Sequence, residues 1–194
     1  MSTLQQSILN KNRKDKFLLV LTLPSILKDR NKIDANDRAS EFFSLDSIQY
    51  SIYGTVVPAI SIPDIDVPYG AQVSKVTSYA RPAWTSVTVN FTVDNSYNNW
   101  WVLWYWLDLI NNSTEGTFNY NNLIGTDSIA KKTTQYQSNI TVYGLDEYNN
   151  KKIQFDYLHS FITGLGDLTY SYREAGEIES SFTFAFGQLE TKLL

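Results

Sequence analysis

The chain has 194 residues, with no cysteine, one histidine and one methionine. Without cysteine there is neither a disulfide framework nor thiol chemistry, which fits folding in a reducing compartment. The lone His159 leaves the usual zinc and His–Cys protease constellations without partners. It lies in an alternating segment and reads as structural. Charge is also scarce: Asp, Glu, Lys and Arg make up 19% of the chain, with a net charge of −4. An acidic balance argues against tight nucleic-acid binding, where Lys and Arg must neutralise phosphates. It does not argue against nucleic acid moving past a surface that must not hold it. The one candidate membrane span, Trp100 to Ile110, is interrupted by Asp108 and is about half of the ~20 residues a bilayer demands. Residues Met1 to Lys16 are polar and then basic, without the apolar centre of a signal peptide.

Other chemistry is equally thin. Asp64 and Asp66 share a strand face with no acid/base partner implied, so a solvated edge is the expectation. Gly164 to Leu168 lacks the lysine and the strand–helix context of a phosphate loop. The triplets at Asn90, Asn112 and Asn139 mean little without secretion. No catalytic, cofactor-binding or metal-ligating set is expected, and the chain does not read as an enzyme.

What is abundant is tyrosine, thirteen of them, together with Asn, Ser and Thr, all suited to strands and turns rather than helices. Phe17 to Leu23 is apolar on both faces and stops at Pro24, as a buried strand would. Lys28 to Glu41 alternates in charge and reads as a solvated loop. Ile48, Tyr50 and Ile52 alternate before Pro58. Pro63 and Pro68 follow at the same spacing, confining this segment to an edge or an extended connection. A short strand is expected in the segment Ala71–Trp84. Val87, Val89, Phe91 and Val93 form the cleanest strand face. Further strands are expected across Tyr136–Asp146 and Lys151–Ile162, joined at Asn149-Asn150. Two more lie over Asp167–Glu174 and Ile178–Gln188, with Phe182, Phe184 and Phe186 on one face.

Between the strands, four tryptophans and a tyrosine occupy Trp100 to Trp106. Asp94, Asn95 and Ser96 supply N-cap candidates before them. Trp100, Leu103, Trp104, Leu107 and Ile110 then fall on one helical stripe. The expectation is a helix over about 97–111, with Trp84, Trp100, Leu103, Trp104 and Leu107 packing the core. Trp101, Tyr105 and Trp106 lie off that stripe. Left in water they would form an apolar patch of the kind that marks an interaction surface, unless loops of the same chain cover them. The fold class is therefore mainly β: one antiparallel sandwich or barrel over 1–194 with one flanking helix. It has a flexible arm at 1–15 and polar loops at 28–41 and 114–134. From these residues alone, a β-sandwich carbohydrate-binding module with exposed aromatics is one function class.

The ordered set of segments resembles another. Val56–Gly70 ("VVPAISIPDIDVPYG"), a strand, then "AWTSVTVNFTVDNSYNNWWVLWYWLDLINN" is similar to the tail tube proteins of contractile-tailed bacteriophages. So is the ending "YLHSFITGLGDLTYSYREAGEIESSFTFAF", with Glu177 in the place of an acidic residue before the last aromatic strand. The likeness spans roughly 45–112 and 135–188. It implies a β-barrel-like subunit in homohexameric rings, whose sheets join into an inner barrel and whose rings stack into a tube. The partners implied are further copies of the chain, a tail sheath protein and a baseplate or tube initiator, with DNA passing without specific binding and an acidic lining that repels phosphates. Interface candidates are Trp101, Tyr105, Trp106, Pro63, Pro68, Tyr69 and Gly70. Localisation would be the virion tail, after assembly in the host cytoplasm. A tube-initiating baseplate component and the tube subunit of a phage-derived injection system belong to the same class. The charged insertion Lys28–Glu41 and the loop Thr114–Thr134 are longer than the pattern usually has.

Overall fold

A computed structural model of the chain describes residues 11–24, 27, 51–112, 117–118, 135–173 and 175–194. The loop expected at 28–41, the alternating positions Ile48 and Tyr50, and most of 114–134 lie outside them.

The core is one strongly bent antiparallel sheet of seven strands. In chain order its strands are β1 (Phe17–Leu21), β2 (Ile52–Thr55), β5 (Val87–Thr92), β8 (Ser138–Leu145), β9 (Lys151–Leu165), β10 (Glu179–Ala185) and β11 (Gln188–Leu193). They run side by side as β1–β8–β9–β10–β5–β2, with β11 also paired to β9. A separate two-stranded hairpin is formed by β3 (Asp64–Tyr69) and β4 (Gln72–Thr77), and short β6 (Asn111–Asn112) pairs with β7 (Thr117–Phe118). The helix α1 spans Asn98–Ile110.

The bend lies in β9, fifteen residues long. Its first part pairs with β8 on one side and β11 on the other, while Phe161 to Leu165 pair with β10. Between the two sections the register with β8 slips, and His159 takes a left-handed φ of 56°. An extra residue in one strand is what turns a sheet corner. This gives two wings that share β9: β1–β8–β9–β11, called here the β8 wing, and β9–β10–β5–β2, the β5 wing.

Alternation decides what the wings enclose. Val87, Val89 and Phe91 of β5 point inward opposite Phe184, Phe182 and Ser180 of β10. Leu19, Leu21, Ile140 and Val142 line the β8 wing, all buried. The seam is aromatic: Tyr157 meets Phe184 and Phe186 edge to face, at 5.2 and 4.9 Å between centroids. Such contacts add about 0.5–1.5 kcal/mol each beyond area burial. Trp84 is half-buried against Phe186.

The β8–β9 turn is held by one carboxylate, Asp146, which accepts from the Tyr148 and Asn150 amides at 2.9 and 2.8 Å. Asn149 fills the left-handed position of the turn expected at Asn149-Asn150. Three sequence expectations need correction. Asp167 to Arg173 form no strand. Gly166 donates to the Ser181 carbonyl, and Ser180 Oγ donates back to the Gly166 carbonyl; these bonds end the pairing and turn the chain away. β1 is buried on one face only, since Leu18 and Val20 stay half-exposed, with no layer over them among the described residues.

A third correction concerns the rotation of α1. The residues turned inward are Asn99, Val102, Leu103 and Trp106, with Trp106 at 0% exposure. Trp104 is only half-buried, so the stripe lies about one position away from the expected one. The cause is at the N-terminus. Asn99, 1% exposed, donates its side-chain amide to the Thr92 carbonyl at 2.8 Å and accepts from the Asp94 amide. Asp94 in turn caps the helix, accepting from the amides of Ser96, Asn98 and Asn99. A buried polar anchor fixes the phase in a helix apolar on nearly every side.

Candidate assembly surface

Beyond β2 the chain runs through Val56–Pro63, without regular structure, into the β3–β4 hairpin. Every residue of both hairpin strands is exposed. Its tip is the two-residue turn Gly70-Ala71, with Gly70 at φ 63°. Positive φ at the first turn position is what glycine supplies at no steric cost. Register divides the hairpin into two faces. Ile65, Val67 and Tyr69 stand opposite Val76, Ser74 and Gln72 on one. On the other, Lys75 reaches across to Asp64 and sits 3.5 Å from Asp66. The Asp64/Asp66 pair noted in the sequence is thus engaged with a lysine. All three side chains are largely exposed, so these ion pairs contribute little to stability.

The first face is apolar and continues into the connection. Ile60, Ile62, Ile65 and Tyr69 are 58%, 51%, 50% and 81% exposed. An isolated two-stranded hairpin is at best marginally stable in water. This one carries a run of exposed β-branched residues with no other element over it among the described residues. Pro63, Pro68, Tyr69 and Gly70 all lie here and are exposed.

The aromatic helix behaves differently. Trp106 is sealed in the core, its indole N–H donating to the Tyr136 carbonyl at 3.0 Å. Its assignment to a subunit interface is corrected: a ring without exposed surface touches no other molecule. Trp101 and Tyr105 stack at 4.9 Å with planes 12° apart and lie half-buried against the core. Trp100 and Leu107 are also half-buried against it, and Leu103 is inside it. No tryptophan is more than half-exposed, and the strongly exposed aromatics among the described residues are tyrosines, Tyr69, Tyr79 and Tyr172 among them.

Both wings have open edges among the described residues: β1 and β11 flank the β8 wing, each paired on one side only. β2 ends the β5 wing on one side, and Phe161 to Leu165 of β9 end it on the other. The outward faces of the wings differ in chemistry. On the β8 wing, Asp156 accepts from Thr141 Oγ1 and Gln154 Nε2, both at 2.8 Å, with Lys192 Nζ at 3.3 Å and Glu190 beside that lysine. Burial pushes the Asp156 carboxyl up, but the hydrogen bonds from Gln154, Thr141 and Lys192 outweigh it and leave the pKa below the ordinary value. On the β5 wing the outward positions of β5 are Thr88, Asn90 and Thr92, facing Thr183, Ser181 and Glu179 of β10. Thr88 and Thr183 hydroxyls lie 3.3 Å apart, and Tyr53 donates to Glu179 at 3.0 Å.

His159 is exposed beside a cavity of about 370 Å³ lined also by Leu23, Pro24, Asn139 and Ser138. Its amide hydrogen-bonds Asn139 Oδ1, which secures the β9 bend. Glu177, exposed, lines a cavity of about 340 Å³ with Asp94 and Tyr97. Among the described residues no group of three or more His, Cys, Asp or Glu side chains could hold a metal ion, and no helix is long and apolar enough to cross a membrane.

This mainly antiparallel fold with a single helix is shared with solved components of contractile injection systems. The chain superposes on the sheath–tube complex of an extracellular contractile injection system (PVC) with a TM-score of 0.60, at 12% identity, covering 100% of this chain and 99% of that one. The tube-terminating cap of the anti-feeding prophage gives 0.58 at 12% identity, with full coverage of both chains. The sheath/tube terminator of the PVC system gives 0.58 at 11% identity, covering 96% of this chain and 99% of that one. No protein-family model matches the chain, and no curated protein matches it in sequence.

Proposed function

We propose that this chain is a non-enzymatic structural subunit whose copies close into rings and stack into the tube of a contractile, phage-like machine. The observation that carries the reading is the β3–β4 hairpin, which springs from the open edge strand β2 with an apolar face turned to water. A second copy provides both things this region lacks. Its free β9 edge extends the β5 wing across the subunit boundary, and its surface covers Ile65, Val67 and Tyr69. Edge strands paired in a closed circle leave no template for aggregation. Sixfold rings, a surrounding sheath, a baseplate initiator and residence in the assembled particle enter the proposal through the resemblance in sequence. The proteins named above, which share the fold, are tube, cap and terminator parts, and this supports a place in the tube or at its end. The Trp101–Tyr105 stack is a second candidate contact between copies.

The test is assembly. The concentrated full chain, viewed by negative stain, should give hollow rings or tubes of uniform width. The double variant Ile65→Asp/Val67→Asp should remain monomeric by sedimentation with an unchanged melting temperature, since both side chains are exposed. A chain that stays monomeric at high concentration, and forms no ring with the other tube components, removes the proposal.

A further inference from the structure

The β5 wing has an outward face almost without charge. Across β2, β5, β10 and the last part of β9 it presents Tyr53, Thr88, Asn90, Ser181 and Thr183, with Gly164 opposite Thr183 and Phe161 opposite Ala185. Glu179 is the one ionisable carboxylate among the described residues of these strands on that side, and the Tyr53 hydroxyl already occupies it. The opposite wing shows the usual charged outer face, with Lys192, Glu190 and Asp156 in one network. Solvent-facing strands normally carry such mixed charge. Hydroxyls and amides dominate this face, and its two large side chains, Tyr53 and Phe161, carry no charge. It also belongs to the wing from whose edge strand β2 the hairpin springs, so copies joined edge to edge along that wing make this face continuous around a ring.

We propose that this face is the wall of the tube's channel and that its chemistry suits a polypeptide cargo rather than a nucleic acid. The inference rests on the tube reading above and adds to it the lining and the cargo class. A wall that passes a polyanion without holding it needs a field of the same sign. This wall offers one engaged carboxylate per copy, and it presents Ser, Thr and Asn donors of the kind that bind phosphate oxygens. A polypeptide carries both signs, so wall charge of either sign would retain it, and only a neutral wall lets it slide. The acidic lining expected from the resemblance is replaced in this wing by a neutral one.

The absence of native cysteine makes the test direct. Tubes are assembled from full-length Thr183→Cys and, separately, Lys192→Cys protein, each labelled with methylmercury. In averaged images the mercury of the first should lie on the inner wall and that of the second should not; the reverse order overturns the assignment. Ser181→Cys serves if Thr183→Cys does not assemble. Failure of the unsubstituted chain to form tubes is a different result: it refutes the tube reading and the wall with it.

The cargo is tested by release. Tubes loaded with a dye-labelled unfolded polypeptide of mixed charge, or with a dye-labelled single-stranded oligodeoxynucleotide of equal length, are diluted and followed. Unsubstituted tubes should release the polypeptide faster than the oligonucleotide and independently of salt. Thr183→Lys and Thr183→Glu tubes should each slow polypeptide release several-fold at low salt. Faster release of the oligonucleotide, or a Thr183→Glu wall that leaves polypeptide release unchanged, overturns the cargo class.

Discussion

Replacing Trp106 by alanine should unfold this protein well before any other tryptophan substitution does. The ring has no exposed surface and packs beside Val102 and Leu103 within the core. Truncating a buried tryptophan to alanine costs about 3–5 kcal/mol through lost transfer energy and the cavity left behind. Here the Tyr136 carbonyl also loses its indole donor, and an unsatisfied acceptor places the value toward the upper end of that range. For a chain of this size each kcal/mol moves the melting temperature by about 2–4 °C, so a fall of roughly 6–20 °C is expected. Trp104 supplies the internal comparison. It is half-buried and two positions away on the same helix, and Trp104→Ala should cost only about 1–2 kcal/mol. The assay is thermal denaturation of both variants followed by circular dichroism, at protein concentrations that keep the chain monomeric. If Trp104→Ala proves the more damaging of the two, the helix is rotated toward the stripe that periodicity suggests, and the anchoring role of Asn99 is wrong.

Three further outcomes follow from single sites. Asp94→Ala removes an acceptor shared by three amides at the start of α1 and should cost about 0.5–2 kcal/mol in denaturant titration; a shift below 0.3 kcal/mol would show the helix to be capped otherwise. Gly166→Ala places a methyl 3.0 Å from the Ser181 backbone nitrogen and oxygen, which should destabilise by about 1–3 kcal/mol as overpacking, and equal stability would mean the chain yields there freely. Titration gives the third. The Asp156 carboxyl sits below its ordinary 3.8 in the folded state, so its contribution is complete above that value and is lost as pH falls through the lower folded pKa. Tyr157 works at the other end: burial raises its phenol from 10.0 to about 12, so stability is retained below pH 10 and drains away between 10 and 12. Asp156→Asn should flatten the acid limb of a denaturation-midpoint profile, and Tyr157→Phe the alkaline limb. Limbs unchanged by these substitutions would refute both attributions.

The strands were legible where alternation is strict. Val87 to Phe91 and Phe182 to Phe186 carry one apolar residue in every two, and only one sheet face can accept them. Asp167–Glu174 shows the limit of that signal: Leu168, Tyr170 and Tyr172 alternate too, yet among the described residues no neighbouring strand accepts hydrogen bonds from the backbone of Asp167 to Arg173. The helix was legible in extent but not in rotation. When Trp, Leu and Tyr fill nearly every position, periodicity supports several phases, and the deciding residue was the polar Asn99, whose partner Thr92 lies on the preceding strand. The hairpin's prolines and Gly70 marked an edge connection, whereas its projection clear of the sheet depends on where β2 ends. The bare face of the β5 wing was present in the sequence as the Thr, Asn and Ser positions of two strands, but only their pairing brings them together.

A single strand owned by both wings has a mechanical corollary. Because β9 threads from one wing into the other through the His159 corner, peeling either wing from the body breaks ladders that the other also uses. The molecule should therefore resist a pull as one piece, without a soft seam between halves. Backbone amides at Phe155 and Ile162, on opposite sides of that corner, should exchange with deuterium through the same opening event.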